Sequence, residues 1–200
     1  MKLQIRDVSK KFGDQKVLEH VSMDLESGHI YCLMAPSGKG KTTLFRILMG
    51  LEDADAGSVT VFTQNAVRTA VSSIRISAVF QEDRLCEAFS PVDNVLMTAD
   101  SSMDRKKVCQ ELRKLLPEEC LDRSVSTLSG GQKRRVAVCR ALCAPFDLLI
   151  LDEPFTGLDD GTRRQVLGYI QKKCAGKLTL LSTHQEEDIQ ALSGIRLSLP

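Results

Sequence analysis

The chain has no tryptophan, and only 4% of its 200 residues are aromatic, so its core must be mostly aliphatic. It has no excess of either charge: 27 Lys and Arg stand against 26 Asp and Glu, a net of +1. That balance offers no electrostatic footing for nucleic acid or acidic lipid. Local basic runs such as Lys133, Arg134 and Arg135 read as a solvated face. No apolar stretch approaches the roughly 20 residues that a membrane span needs, so any membrane role must work through a partner. Seven cysteines are present, an odd number without a CxxC pair. Cys139 and Cys143 fall one helical turn apart, but no His accompanies them, and the set reads as reduced thiols of a cytosolic chain. Repeats, low-complexity tracts and Gly/Ser linkers are also missing. The length suits one domain, or one core with a small inserted subdomain.

What is there alternates between strand and helix signals. Leu3 to Val8 and Val21 to Leu25 read as short strands, the first within an alternating start that does not resemble a signal peptide. His29 to Ala35 is an apolar run that fits a buried strand, and a helix is expected over Lys41 to Met49. Ser58 to Phe62 and Ile74 to Phe80 read as strands. After Gln81 the character changes. Helices are expected from Pro91, over Asp104 to Leu116 with Val108, Leu112, Leu115 and Leu116 on one face, and after Gly131. Strand signals return at Asp147 to Leu151 and Leu178 to Ser182. The expectation is an α/β core with a largely parallel sheet, made from residues 1–81 and 146–200 and interrupted by a helical insert over 82–145.

Residues 35–43, APSGKGKTT, match the phosphate-loop pattern GxxxxGK[ST] at Gly40, Lys41 and Thr42, between an apolar strand and a helix. Glycines let backbone N–H groups close around phosphate oxygens, and the helix N-terminus adds a favourable dipole. Lys41 is expected to reach the outer phosphates, and Thr42 to offer its hydroxyl to Mg²⁺. Ala35 departs from the pattern, which has Gly there. A left-handed backbone at that position would cost Ala on the order of 1 kcal/mol. Lys39, unexpected between Gly38 and Gly40, reads as pointing to water.

Residues 148–154, LLILDEP, supply a second site. Asp152 emerges at the C-terminal end of a buried strand, where open α/β sheets place ligands, and would hold Mg²⁺ through water. Glu153 follows, placed to polarise an attacking water.

The pentapeptide LSGGQ, residues 128–132, narrows the reading. Generic phosphate-loop proteins do not need it. Together with the phosphate loop, Gln81, LLILDEP, Asp159 in TGLDD and His184 in LLSTH, in that order, it resembles the ATP-binding-cassette ATPases over nearly the full chain. The resemblance implies a P-loop NTPase fold: a RecA-like core, an antiparallel β subdomain and an inserted helical subdomain. It implies ATP and Mg²⁺ as ligands, with Pro36, Ser37, Gly38, Lys39, Gly40, Lys41, Thr42 and Thr43 around the phosphates and Phe12 stacked on adenine. Metal contacts would come from Thr42, Gln81 and Asp152. Ser129, Gly130, Gly131 and Gln132 would meet the γ-phosphate bound by a second subunit, with Asp159 at the same interface. Glu153, His184 and Gln81 would carry hydrolysis.

Members of this family mostly power transport. The stretch FQEDRL with the later DEPF and GLD loosely resembles bacterial import cassettes for nitrate, sulfonate or taurine. That implies a dimer with a second copy or a paralogue, an integral membrane permease, a solute-binding protein, and a place on the cytoplasmic face of the cell membrane. Asp83, Arg84, Leu85 and Phe89 are the candidate permease contacts. DNA or ribosome work, iron–sulfur cofactor assembly and small-molecule phosphoryl transfer stand as alternatives.

Overall fold

The alternating N-terminus folds as a long antiparallel ribbon, β1 (Lys2–Phe12) paired with β2 (Gln15–Glu26). The structure is a computed structural model that describes residues 1–36, 38–63, 66–69 and 71–199. β1 also pairs with β4 (Ala56–Thr63), which pairs with β5 (Ala66–Thr69), so that one sheet has the order β2-β1-β4-β5 and is antiparallel throughout.

The second sheet is parallel. It is built from β3 (Ile30–Met34), β6 (Ile76–Val79), β7 (Leu148–Leu151), β8 (Leu178–Ser182) and β9 (Ile195–Ser198), in the order β6-β7-β8-β3-β9. All four residues of β7 are buried. They divide by the two-residue period of a strand. Leu148 and Ile150 join the core shared with the antiparallel sheet, while Leu149 and Leu151 face the core of the helices.

α1 (Lys41–Leu48) follows β3 and buries Leu44, Phe45, Ile47 and Leu48 in the core shared with the antiparallel sheet. Between β6 and β7 come α2 (Pro91–Leu96), α3 (Arg105–Leu112) and α4 (Gly130–Cys143). α3 stops short of Leu116. Leu115 and Leu116 still pack in the helical core, but through turns. Four elements were not legible in the pattern: β5, α5 (Asp160–Lys173), α6 (Glu186–Leu192) and β9. No helix among the described residues is long and apolar enough to cross a membrane.

Candidate nucleotide site

Four adjacent parallel strands deliver the candidate residues to one edge of the sheet. Gln81 follows β6, Asp152 and Glu153 follow β7, His184 follows β8, and the phosphate loop follows β3. This is the carboxyl end of the strands, the ligand side of an open α/β sheet.

The phosphate loop is shaped by backbone sterics. Gly38 and Gly40 hold φ of +80° and +84°. A Cβ on Gly40 would lie 2.6 Å from the Val17 carbonyl oxygen and 2.7 Å from Leu18 Cδ2. Gly40→Ala therefore combines left-handed strain of about 1–2 kcal/mol with an overlap against backbone. We expect ATP affinity to fall at least about tenfold, read by titration with a fluorescent ATP analogue; unchanged affinity would show that the loop adapts. Ala35 does not need the glycine it replaces, because its backbone is not left-handed. Its carbonyl instead accepts from Lys41 Nζ at 2.5 Å, with Pro36 O at 3.2 Å from the same amine. Lys41 is buried, Thr43 is part-buried and Lys39 is exposed. Ser37 lies outside the described residues.

Thr42 Oγ1 donates to Asp152 Oδ2 at 2.7 Å. The other Asp152 oxygen accepts from Ser182 Oγ at 2.8 Å, and Ser182 Oγ in turn accepts from the Glu153 backbone N–H at 2.8 Å. Glu153 Oε1 lies 3.0 Å from His184 Nε2. A continuous hydrogen-bonded line thus runs Thr42–Asp152–Ser182–Glu153–His184. Glu153 sits at φ 50°, a left-handed conformation uncommon outside glycine and typical of functional turns. The hydroxyl and buried carboxylate at the head of this line are hard oxygen donors at a phosphate loop, a set that fits Mg²⁺. Ser182 escaped sequence reasoning; its one signal is that it ends a buried strand two residues before His184.

Gln81 is exposed, and among the described residues no hydrogen bond joins its side chain to Thr42 or Asp152. Its carbonyl accepts from Arg134 Nη2 at 2.5 Å, and the Phe80 carbonyl accepts from Arg134 Nη1 at 2.7 Å. Arg134 Nε is 3.1 Å from Asp83 Oδ1. Burial pushes the Asp83 carboxyl up, with Arg134, Lys133 and Arg140 pulling it back. Arg140 donates to the Asp83 and Arg84 carbonyls. The basic run is therefore not a solvated face. Arg134 is 7% exposed, and Arg134 with Arg140 clamps the loop after β6 to α4. Periodicity could not reveal this, because the partners are backbone carbonyls distant in sequence.

In the LSGGQ segment, Ser129 caps α4. Its hydroxyl accepts from the Gln132 N–H, and Gln132 Oε1 accepts from the Ser129 N–H at 2.9 Å, a reciprocal capping box. The Gln132 amide N–H donates to Cys120 Sγ at 3.4 Å, so its oxygen serves the helix start and its nitrogen ties that start to the preceding turn. Gly130 and Gly131 stand in its first turn; a Cβ on Gly131 would meet the Gly157 carbonyl at 3.2 Å. Asp159 caps α5 by accepting from the Thr162 N–H and hydroxyl at 3.0 and 2.7 Å. Those bonds lower its carboxyl pKa. Phe12 ends β1 half-exposed, with Lys10 Nζ 5.2 Å from its ring centroid.

The fold and this line of residues define a phosphate-loop nucleotide cassette, and the comparisons give its family. The family model described as "ABC transporter" matches residues 18–156. The probable sulfate/thiosulfate import ATP-binding protein CysA of Chlorella vulgaris is 34% identical over 177 residues, covering 86% of this chain and 75% of that protein. The sulfate/thiosulfate import ATP-binding protein CysA of Bordetella pertussis is 35% identical over 181 residues, 86% of this chain and 51% of that one. The chain thus spans about half the length of the bacterial relative. The solved dimeric structure of a bacterial ABC transporter cassette superposes with a TM-score of 0.84 at 25% identity, covering 98% of this chain and 94% of that one. A dimeric post-hydrolysis cassette bound to ADP and Pi gives 0.83 at 25% identity, with the same coverage.

The chain belongs to the ABC transporter family. It is the ATP-binding cassette of such a system, an ATPase with a mixed parallel and antiparallel α/β fold.

Proposed function

We propose that the chain hydrolyses Mg·ATP in a site completed by the signature loop of a second cassette, a copy or a paralogue. In this reading it powers solute import through a separate membrane permease. The line Thr42–Asp152–Ser182–Glu153–His184 carries the proposal, because it puts a metal-binding pair, a candidate base and a candidate γ-phosphate sensor in one connected row. The backbone of residues 36–43 cradles the phosphates, with Lys41 as their point charge. Thr42 and Asp152 would hold Mg²⁺, with Gln81 as a further contact, and the ion would supply charge to neutralise the phosphates. Glu153 orients and deprotonates the attacking water, and His184 hydrogen-bonds the γ-phosphate. Phe12 stacks on adenine. Ser129, Gly130, Gly131, Gln132 and Asp159 form the face presented to the partner's nucleotide. Loss of the γ-phosphate removes that bridge and lets the pair open.

A shared site makes specific activity depend on protein concentration. We expect phosphate release per mole of chain to rise with concentration before reaching a plateau; a constant value from the most dilute sample upward would contradict the shared site.

Residues 1–81 with 146–200 act as the nucleotide core and 82–145 as the helical subdomain. The names of the relatives support sulfate or thiosulfate as the solute class; in this reading a solute-binding protein delivers the solute, other chains recognise it, and this chain lies on the cytoplasmic face of the membrane. Both relatives named above are described as import ATP-binding proteins, which favours transport over DNA or ribosome work or iron–sulfur cofactor assembly. Of the four candidate permease contacts, Phe89 fits best, since it is a large apolar side chain 49% exposed. Leu85 packs partly on the helical core, Asp83 turns to Arg134, and Arg84 lies over the Phe80 ring at 4.3 Å. Phe89→Ser should cut transport by the assembled system at least about tenfold, with ATPase of the isolated chain unchanged. Transport at the full rate would remove Phe89 from the contact surface.

A further inference from the structure

We infer that Arg163, Asp188 and Thr183 are positioning residues that hold His184 in place and tie it to the helix that follows Asp159. The inference rests on the hydrolytic role proposed for His184.

Asp188 is the starting point. It lies on α6 and is fully buried, a placement that a carboxylate tolerates only with partners. Arg163 of α5 supplies a fork, with Nε donating to Oδ1 at 2.7 Å and Nη2 to Oδ2 at 2.5 Å. The same guanidinium lies over the Phe155 ring at 5.3 Å. The Thr183 hydroxyl also donates to Asp188 Oδ2. That hydroxyl accepts in turn from the Gln185 N–H at 3.2 Å. The residues before and after His184 are thus bonded to each other through an oxygen whose direction Asp188 sets.

The consequence is mechanical. His184 sits on a short turn closed by Thr183 Oγ1, the turn is anchored by Asp188, and Asp188 is anchored by a bidentate arginine on α5. The N-cap of α5 is Asp159. A shift of α5 at the partner face therefore moves the arginine fork, and with it the turn that aims Nε2 at Glu153, 3.0 Å away. Arg163 and His184 line the same cavity beside Glu153. The bond from Thr183 satisfies a further acceptor site of the buried carboxylate and, through Thr183 Oγ1, holds the turn that carries His184.

The test uses changes that preserve folding. Thr183→Val keeps side-chain shape and removes the hydroxyl, and Thr183→Ser restores it. The double change Arg163→Met with Asp188→Leu removes both charges together, which often leaves stability intact, whereas removing one would strand the other. Steady-state ATPase of the full chain is measured with thermal unfolding of each variant. We expect Thr183→Val to lower kcat about tenfold with KM for ATP within about twofold, and Thr183→Ser to restore kcat to within about twofold. The charge-pair double variant should match Thr183→Val, and combining the two should add no further loss, because both act through one turn. Full kcat in Thr183→Val, or losses that multiply on combination, would overturn the inference. His184→Ala is run alongside. Full activity in that variant would remove the role of His184 itself, whereas an impaired His184→Ala with an unimpaired Thr183→Val would remove only the positioning role.

Discussion

Glu153→Gln is expected to lower ATP turnover by roughly 10²–10⁴-fold, the span that general-base contributions cover. The side chain keeps its shape, and the backbone bond from Glu153 N–H to Ser182 is untouched. The Thr42–Asp152 pair is untouched too, so ATP binding should stay within a few-fold of the original. An amide cannot take a proton from water, so the γ-phosphate stays in place and the two-subunit state accumulates. Light scattering of the variant should show a monomer without nucleotide and a dimer at saturating Mg·ATP. A variant that turns over normally would remove Glu153 from the chemistry. One that stays monomeric with ATP bound would instead remove the shared site.

Lys41→Ala should be the largest loss of binding. The amine is buried and points between the Ala35 and Pro36 carbonyls at the mouth of the phosphate loop. Among the described residues no other Lys or Arg bonds to these carbonyls, and Lys39 is exposed. Truncating a desolvated charge that pairs with phosphate typically costs about 2–5 kcal/mol, so affinity should drop by roughly a hundredfold or more. Calorimetric titration with ATP reads this directly, and thermal unfolding without nucleotide shows whether the loop itself survives. Affinity within about threefold of the original would mean that backbone N–H groups alone carry the phosphates.

The site was more legible than the scaffold around it, for a physical reason. A phosphate loop needs glycine where φ is positive, a lysine at fixed reach and a hydroxyl beside it, so its chemistry is written in consecutive residues. LLILDEP is legible likewise, because a strand buried on both faces must be apolar throughout. α5 was missed although Asp159 and Thr162 spell its cap, because charged residues fill much of the helix and its apolar positions are few. α3 was drawn too long because Leu115 and Leu116 keep a helical spacing while packing through turns. Arg134 was misread as solvated because its partners are carbonyls of a loop more than 50 residues earlier. Thr183 and Asp188 gave no signal alone, and Ser182 only its place at the end of a buried strand; their partnership became visible only when β7, β8 and α6 brought them together.

The central claim is that this cassette drives a membrane-spanning partner. The most direct measurement is affinity purification of the tagged chain from detergent-solubilised native membranes, followed by mass spectrometry. The account predicts a polytopic membrane protein that co-purifies with this chain, and a solute-binding protein recovered with it would place the system among importers. Recovery of nucleic-acid-bound or ribosomal partners without any membrane protein would contradict the transport role and leave only the ATPase chemistry.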